Sequence, residues 1–180
     1  TLRALDDLVT AGKVRYLGCS NYPAWRLMQA LWVSDKMNLA RYDSLQPHYS
    51  LVRRAEFERE LAEVCRAMGL GVLPYSPLGG GFLTGKYRRD KVEESARARS
   101  VQKYFTDKNW DLLDLLEKIG REKGNKSISQ TALAWLLSDP IITSPIIGPR
   151  TVEQLQDNLG AAGLRLTPEE MRLLDEASRW

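Results

Sequence analysis

Leu70–Tyr87 reads LGVLPYSPLGGGFLTGKY, a short apolar run that ends in a glycine-rich turn. From Gly80 the turn fits the phosphate-loop pattern G-x-x-x-x-G-K-[ST] up to its last place, where Tyr87 stands instead of a hydroxyl able to hold magnesium. A phosphate loop also needs a helix to start at that Gly-Lys step, so that its first amides and its dipole meet the phosphates. The following residues, KYRRDK (Lys86–Lys91), have poor apolar periodicity. The stretch is therefore not a triphosphate site. Its glycines still leave backbone amides open to a diphosphate, with Lys86 to supply charge.

Leu70–Leu78 itself reads as a strand, with Pro74 removing a backbone donor where the ladder thins near the strand's end. Upstream, Val14–Ser20 (VRYLGCS) and Asp43–Ser50 (DSLQPHYS) read as two more strands, and downstream SPIIG, Ser144–Gly148, as a fourth. Helical patterns lie between and around them. The first carries Leu2, Leu5, Leu8 and Val9 on one face, with Gly12 as its stop. A second begins near Pro23 and repeats Trp25, Met28, Gln29 and Trp32 at helical spacing, and a third places Phe57, Leu61, Val64, Cys65 and Met68 on one face before Gly69.

Two helices follow the glycine turn, Trp110–Gly124 and one carrying TALAWLLSD that opens with a Ser127–Gln130 capping box. Thr151–Gln154 reads as another capping box, starting a helix that holds Val152, Leu155 and Leu159. Thr167-Pro168-Glu169-Glu170 supplies both a cap and an N1 proline to a terminal helix. Strands that alternate with helices require parallel pairing and crossover helices, hence an α/β fold. Four strands make half of a (βα)8 barrel, so residues 1–180 are expected as one domain, the carboxyl-terminal half-barrel with a final helix. Within it, residues 79–110 form a connection of about thirty residues, well beyond ordinary loop length and so read as a functional loop.

A chain of 180 residues, 43% hydrophobic and 27% charged, is expected to be a soluble globular protein with a real core. No apolar run approaches the roughly 18 residues that span a bilayer, and the first residues lack a signal peptide's long apolar region, so a cytoplasmic protein is expected. Because the sequence starts with Thr1 inside a helix, something is expected to precede it in the parent protein or to have been removed. Cys19 and Cys65 are too few and too far apart for a disulfide framework or a zinc site and are expected as reduced, buried thiols; His48, without a partner, is read as structural. The net charge is only +3, but Lys86, Arg88, Arg89, Lys91, Arg97, Arg99, Lys103 and Lys108 face only four acids between positions 86 and 108. Its aromatics are not interleaved at stacking intervals, which argues against nucleic acid as the partner.

In parallel α/β folds the chemistry sits at the carboxyl ends of the strands. Those ends carry Ser20 and Asn21, then Gln46, then Tyr75 and Ser76, then Gly148 and Arg150. The set contains no carboxylate pair, no cysteine with a partner base and no metal cluster. It suits a neutral planar amide: Asn or Gln pairs with a carboxamide through both donor and acceptor, and Tyr75 offers a ring face. Arg150 beside a helix start at Thr151 is a seat for a single phosphate, and Gln154 and Asn158, four apart, share the next helical face.

Taken together, GKVRYLGCSNY, SLQPHYSLVRR, LGVLPYSPLGGGFLTGKY, ALAWLLSDP and PIIGPRTVEQLQDNLGAAGLRLTPEE resemble, in order and spacing, the second half of the aldo-keto reductases in their bacterial and potassium-channel-β-like branch. The resemblance covers essentially the whole chain and implies an NADPH-binding (βα)8 barrel that reduces aldehydes and ketones. It implies that Ser20, Asn21 and Gln46 hold the nicotinamide carboxamide and that Tyr75 stacks on the ring. It further implies that Ser76, Pro77, Leu78, Gly79, Leu83, Thr84 and Lys86 line the diphosphate loop, while Gly148, Arg150, Gln154 and Asn158 grip the adenosine end, Arg150 at the 2′-phosphate.

The family's proton-donor tyrosine, its lysine and aspartate partners and its histidine all fall before Thr1. Tyr16, Tyr22 and Tyr42 do not stand in that motif. Hydride transfer needs an acid for the forming alkoxide, so this chain alone is expected to be a poor reductase. Three readings stay open: part of a longer reductase, a half-barrel that covers its open edges by self-association, and a stand-alone enzyme with a rebuilt acid.

Overall fold

The computed structural model describes residues 1–89 and 96–180. Helix α1 (Leu2–Thr10) lays Leu2, Leu5 and Val9 against the core, whereas Leu8 is exposed. Strand β1 (Leu17–Ser20) leads to helix α2 (Ala24–Lys36), strand β2 (Tyr42–Gln46), and the pair α3 (Ala55–Glu58) and α4 (Leu61–Met68). The helix expected to carry Phe57 through Met68 is thus two, broken where Glu60 leaves helical geometry at φ −143°. Strand β3 (Gly71–Val72) follows. The three strands pair in parallel in the order β1-β2-β3.

Strand β1 starts three residues later than the sequence pattern suggests, at Leu17, and β2 and β3 end earlier, where proline is the cause. Pro47 and Pro74 donate no hydrogen bond, so β2 stops at Gln46 and β3 at Val72, although Leu73 and Tyr75 still donate to the carbonyls of Leu45 and Pro47. The expected fourth strand, Ser144–Gly148, does not form as a strand. Two single bridges replace it, Ile142 to Val72 and Ile146 to Tyr75, with Thr143 and Ile146 donating to the carbonyls of Val72 and Pro74. Pro145, lacking an N–H, interrupts the ladder between them.

The long connection after Leu78 is not structureless. It begins with a 3-10 turn, Gly79–Thr84, and resumes with helix α5 (Ala96–Val101) and a second 3-10 turn, Gln102–Tyr104. The Lys91 expected in its basic run lies outside the described residues. Helix α6 (Asp107–Glu122) is capped by Thr106, and α7 (Ile128–Leu137) carries the expected Ser127–Gln130 capping box. Helix α8 (Val152–Leu159) has only half of one: Thr151 accepts from the Gln154 amide, but Gln154 reaches back to the Arg150 N–H instead. Helix α9 (Pro168–Ala177) has both the Thr167–Glu170 box and the N1 proline.

One core cluster draws on the sheet and on helices α6, α7 and α9, and in it Leu45, Val72, Leu112, Leu116, Leu136 and Leu174 are fully enclosed. A second part is aromatic: Phe82 packs on Tyr104, Phe105 and Trp110 with ring centroids 5.9, 5.9 and 5.2 Å away. Cys19 and Cys65 are buried and free, and burial pushes each thiol up to about 11. No helix among the described residues is long and apolar enough to cross a membrane.

Two helices depart from the sequence pattern, α2 by burying another stripe and α8 by burying no residue. On α2 the buried stripe is Ala24, Leu27, Leu31 and Ser34, while Trp25, Met28 and Trp32 face outward. On α8 Val152, Leu155 and Leu159 are all exposed. Both stripes of α2 have helical spacing, so periodicity alone does not choose between them.

Candidate functional site

The carboxyl ends of the parallel strands meet in one hydrogen-bonded chain. Tyr75 donates its hydroxyl to Asn21 Oδ1 at 2.9 Å, Asn21 Nδ2 donates to Ser20 Oγ at 2.9 Å, and Ser20 Oγ donates to the Gln46 carbonyl at 2.8 Å. Three strand ends are tied by side chains that remain at the surface, since Ser20, Asn21 and Gln46 are exposed and Tyr75 is half-buried. Asn21 and Ser76 both have left-handed backbones, φ +57° and +51°, and such conformations in non-glycine residues concentrate at functional positions.

After these bonds, the Asn21 amide keeps one N–H and further acceptor capacity. The Gln46 side chain makes no hydrogen bond among the described residues. One face of Tyr75 packs on His48, ring centroids 4.8 Å apart and tilted by 32°. Burial lowers the proton affinity of His48 below its ordinary value of 6.5; Arg53 and Lys103 push the same way and Glu56 pulls weakly against them. A folded-state pKa below the unfolded one means that the unfolded chain takes up the proton first. Stability from this group is then complete above about 6.5 and falls as pH drops through that value. Denaturant unfolding across that range is expected to show the loss, and His48→Gln to flatten it.

The glycine turn begins right after Ser76. Pro77 is buried and Leu78 half-buried, and the Leu78 carbonyl accepts from the amides of Gly81 and Leu83. Gly79, Gly80 and Gly81 have φ of +57°, +68° and +101°. A Cβ on Gly79 would stand 2.8 Å from Val52 Cγ2, so this position has no room for a side chain. Thr84 Oγ1 donates back to the Gly81 carbonyl at 2.8 Å. Lys86 is exposed and lies over the Tyr87 ring, its Nζ 4.8 Å from the centroid.

Two residues of this loop turn their side chains into the core. Leu83 is completely buried, so its side chain belongs to the core. Tyr87, in the place where a phosphate loop would have its hydroxyl, is 1% exposed, packs on Phe105 at 5.6 Å, and has a hydroxyl without a partner among the described residues. It is a core ring.

The second anion candidate sits beside the first group, because Ile146 bridges Tyr75 and the chain then turns through Gly148 into α8. Gly148 and Arg150 are exposed, and the Arg150 guanidinium has no ion pair among the described residues. Gln154 is held by accepting from the Arg150 amide at 2.8 Å, and Asn158 is half-buried one turn further on.

A polar network elsewhere joins residues that stand in no sequence motif. Arg54 Nε meets Glu58 Oε1 at 2.7 Å, and Arg54 NH1 reaches Asp175 Oδ1 at 3.0 Å and Ser178 Oγ at 2.7 Å. Tyr49 and Trp180 also donate to the Glu58 carboxylate, at 2.7 and 3.0 Å. Burial by itself pushes that carboxyl up, but the bonds from Arg54, Tyr49 and Trp180 outweigh it and hold the group below its ordinary value of 4.5. The spacing of Arg54 and Glu58 was the available signal; the partners from the chain's far end carried none.

The chain is thus a parallel α/β protein with amide, hydroxyl and aromatic groups at its strand ends and a glycine turn beside them. The model of the Aldo/keto reductase family matches residues 1–179, and the chain belongs to that family. It is 37% identical over 175 residues to the uncharacterized oxidoreductase YrpG of Bacillus subtilis, covering 96% of this chain and 52% of that protein. It is 31% identical over 179 residues to versiconal hemiacetal acetate reductase of Aspergillus parasiticus, 97% of this chain and 51% of that one. A Schizosaccharomyces pombe protein named for the β subunit of voltage-gated potassium channels is 32% identical over 184 residues, 97% and 53% of the two chains. The resemblance drawn from the motifs, including its potassium-channel-β-like branch, is thus borne out, and the chain spans about half the length of the curated relatives it matches.

Proposed function

We propose that this chain is the NADP(H)-holding part of an aldo-keto reductase that reduces aldehydes or ketones, its parallel strands forming half of a (βα)8 barrel. The observation that carries this is the relay of the Tyr75, Asn21 and Ser20 side chains, ending on the Gln46 backbone carbonyl, across three adjacent strand ends. Ser20, Asn21 and Gln46 then present donors and acceptors to a carboxamide, and Tyr75, backed by His48, offers its other face to the planar ring. The Ser76–Lys86 loop wraps the diphosphate: its glycines bring backbone close where side chains would intrude, and Leu83 takes part only through its backbone. Gly148, Arg150, Gln154 and Asn158 hold the adenosine end, with the guanidinium of Arg150 on the 2′-phosphate.

When bound, NADPH supplies the hydride. The acid that protonates the forming alkoxide belongs, in this proposal, to the part of the longer relatives that this chain does not match. Titration with NADPH, followed through the fluorescence of the five tryptophans and completed by adding an aldehyde, tests both halves of the proposal. Saturable binding without turnover is expected from residues 1–180, and Arg150→Ala is expected to weaken NADPH by about tenfold or more while leaving NADH nearly unchanged. Equal losses for the two cofactors would remove Arg150 from the phosphate, and turnover by the chain would sink the assignment of the acid elsewhere.

A further inference from the structure

We propose that His48 is a positioning residue for the cofactor's ring: uncharged, it holds Tyr75 ready to stack, and protonated it releases Tyr75, so that the strand ends lose their grip on the cofactor in acid. The inference rests on the placing of the nicotinamide at Tyr75 and adds a control to that site.

Tyr75 is fixed on two sides. Its backbone forms a parallel bridge with His48, its amide donates to the Pro47 carbonyl at 3.0 Å, and its ring lies on the imidazole with centroids 4.8 Å apart and planes tilted by 32°. Its hydroxyl donates to Asn21 Oδ1 at 2.9 Å, and Asn21 in turn donates to Ser20 Oγ. The imidazole thus backs the ring that heads this relay and leaves the opposite face for the nicotinamide. A movement of the Tyr75 ring is felt at the Asn21 amide.

A proton on His48 does not suit this arrangement. Nε2 is buried and has no partner among the described residues, and both nitrogens of an imidazolium are donors, so the charged ring would carry an N–H facing no acceptor. A buried donor left without an acceptor is costly, and a buried charge more so. Burial is the largest influence against the proton; of the charged groups that act on the ring, Arg53 and Lys103 oppose it as well, and Glu56 favours it. The imidazolium is relieved by turning toward solvent and away from Tyr75, whereas the neutral ring is best left in place. A cofactor that stacks on a held Tyr75 binds the neutral form more tightly. By linkage it must then lower the proton affinity of His48, and protonation must weaken the cofactor by the same factor.

His48 is the single histidine of the chain, so its Cε1 proton resonance can be followed by NMR without ambiguity. Titrations of pH with and without saturating NADP+, the cofactor form that survives acid, test the inference. The His48 midpoint is expected to be lower by about 0.5 or more in the complex, which corresponds to about a threefold loss of cofactor affinity across the transition. Affinities read by tryptophan fluorescence from neutral pH down to about pH 5 are expected to fall accordingly in the wild type. His48→Phe keeps a ring beside Tyr75 and cannot titrate, and is expected to lack that part of the fall. The 2′-phosphate titrates at about 6 in both cases, so the ratio of the two affinities is the quantity to follow. Circular dichroism at each pH checks folding, and the wild-type midpoints need no variant should His48→Phe not fold. An equal or higher midpoint in the complex, or a ratio that stays constant with pH, would overturn the inference. Failure of NADP+ to saturate the protein at neutral pH would instead overturn the cofactor reading on which it stands.

Discussion

Arg54→Ala is expected to lower the unfolding free energy by about 3 kcal/mol, as removal of one member of a largely buried ion pair does. The side chains of Arg54 and Glu58 are only 12% and 22% exposed, so solvent does little to screen the loss. In the variant, Glu58 keeps Tyr49 and Trp180 as donors but loses its cation, while Asp175 and Ser178 lose the group that joins the end of α9 to α3. The Trp135 ring, with the guanidinium carbon 5.0 Å from its centroid, loses a packing partner as well. The pH dependence identifies the mechanism. Because Glu58 is held below its ordinary 4.5, its contribution is complete above that value and is lost as pH falls through the lower folded pKa. Denaturant midpoints for wild type and variant should therefore differ fully at neutral pH and converge in acid. A constant gap across that range would show that the loss is one of packing and not of charge.

Phe82→Ala is expected to cost about 3–5 kcal/mol, the usual range when a fully enclosed aromatic ring is removed. Phe82 is 0% exposed and lies among Tyr104, Phe105 and Trp110, so the surrounding rings cannot simply close over the space. The same residue ties the glycine turn to the segment that leads into α6. Its loss is thus expected to loosen Gly79–Gly81 and weaken NADPH binding together with stability. Urea unfolding and an NADPH titration on the same sample separate the outcomes: lost stability with unchanged cofactor affinity would mean that the turn keeps its shape without its anchor.

Much of the site was legible because its residues stand at strand ends in a βα alternation, and the alternation is itself a local pattern. Ser20, Asn21, Gln46 and Tyr75 could be named from that position, and the structure joins the side chains of Tyr75, Asn21 and Ser20 to the backbone carbonyl of Gln46. The capping boxes at Ser127 and Thr167 were legible for a similar reason: each is an exchange of hydrogen bonds within four residues. The box expected at Thr151 was half right, since Gln154 prefers the Arg150 amide one residue earlier, a choice that composition does not encode. Strand lengths were overestimated where Pro47, Pro74 and Pro145 withhold donors from a ladder whose partners are far away in sequence.

Residues 1–180, by their order alone, determined the alternation of strands and helices, where the capped helices begin, and which polar groups gather at the strand ends, because each depends on neighbours within a few residues. Tertiary structure alone decided that Leu27 and Leu31 of α2 face inward while Trp25 and Trp32 face out, and that Tyr87 is a buried ring. It alone decided that Arg54 finds Asp175 and Ser178 more than a hundred residues away. Helical spacing offers two stripes and a cation accepts any carboxylate, so only the elements that come to lie against them settle the choice.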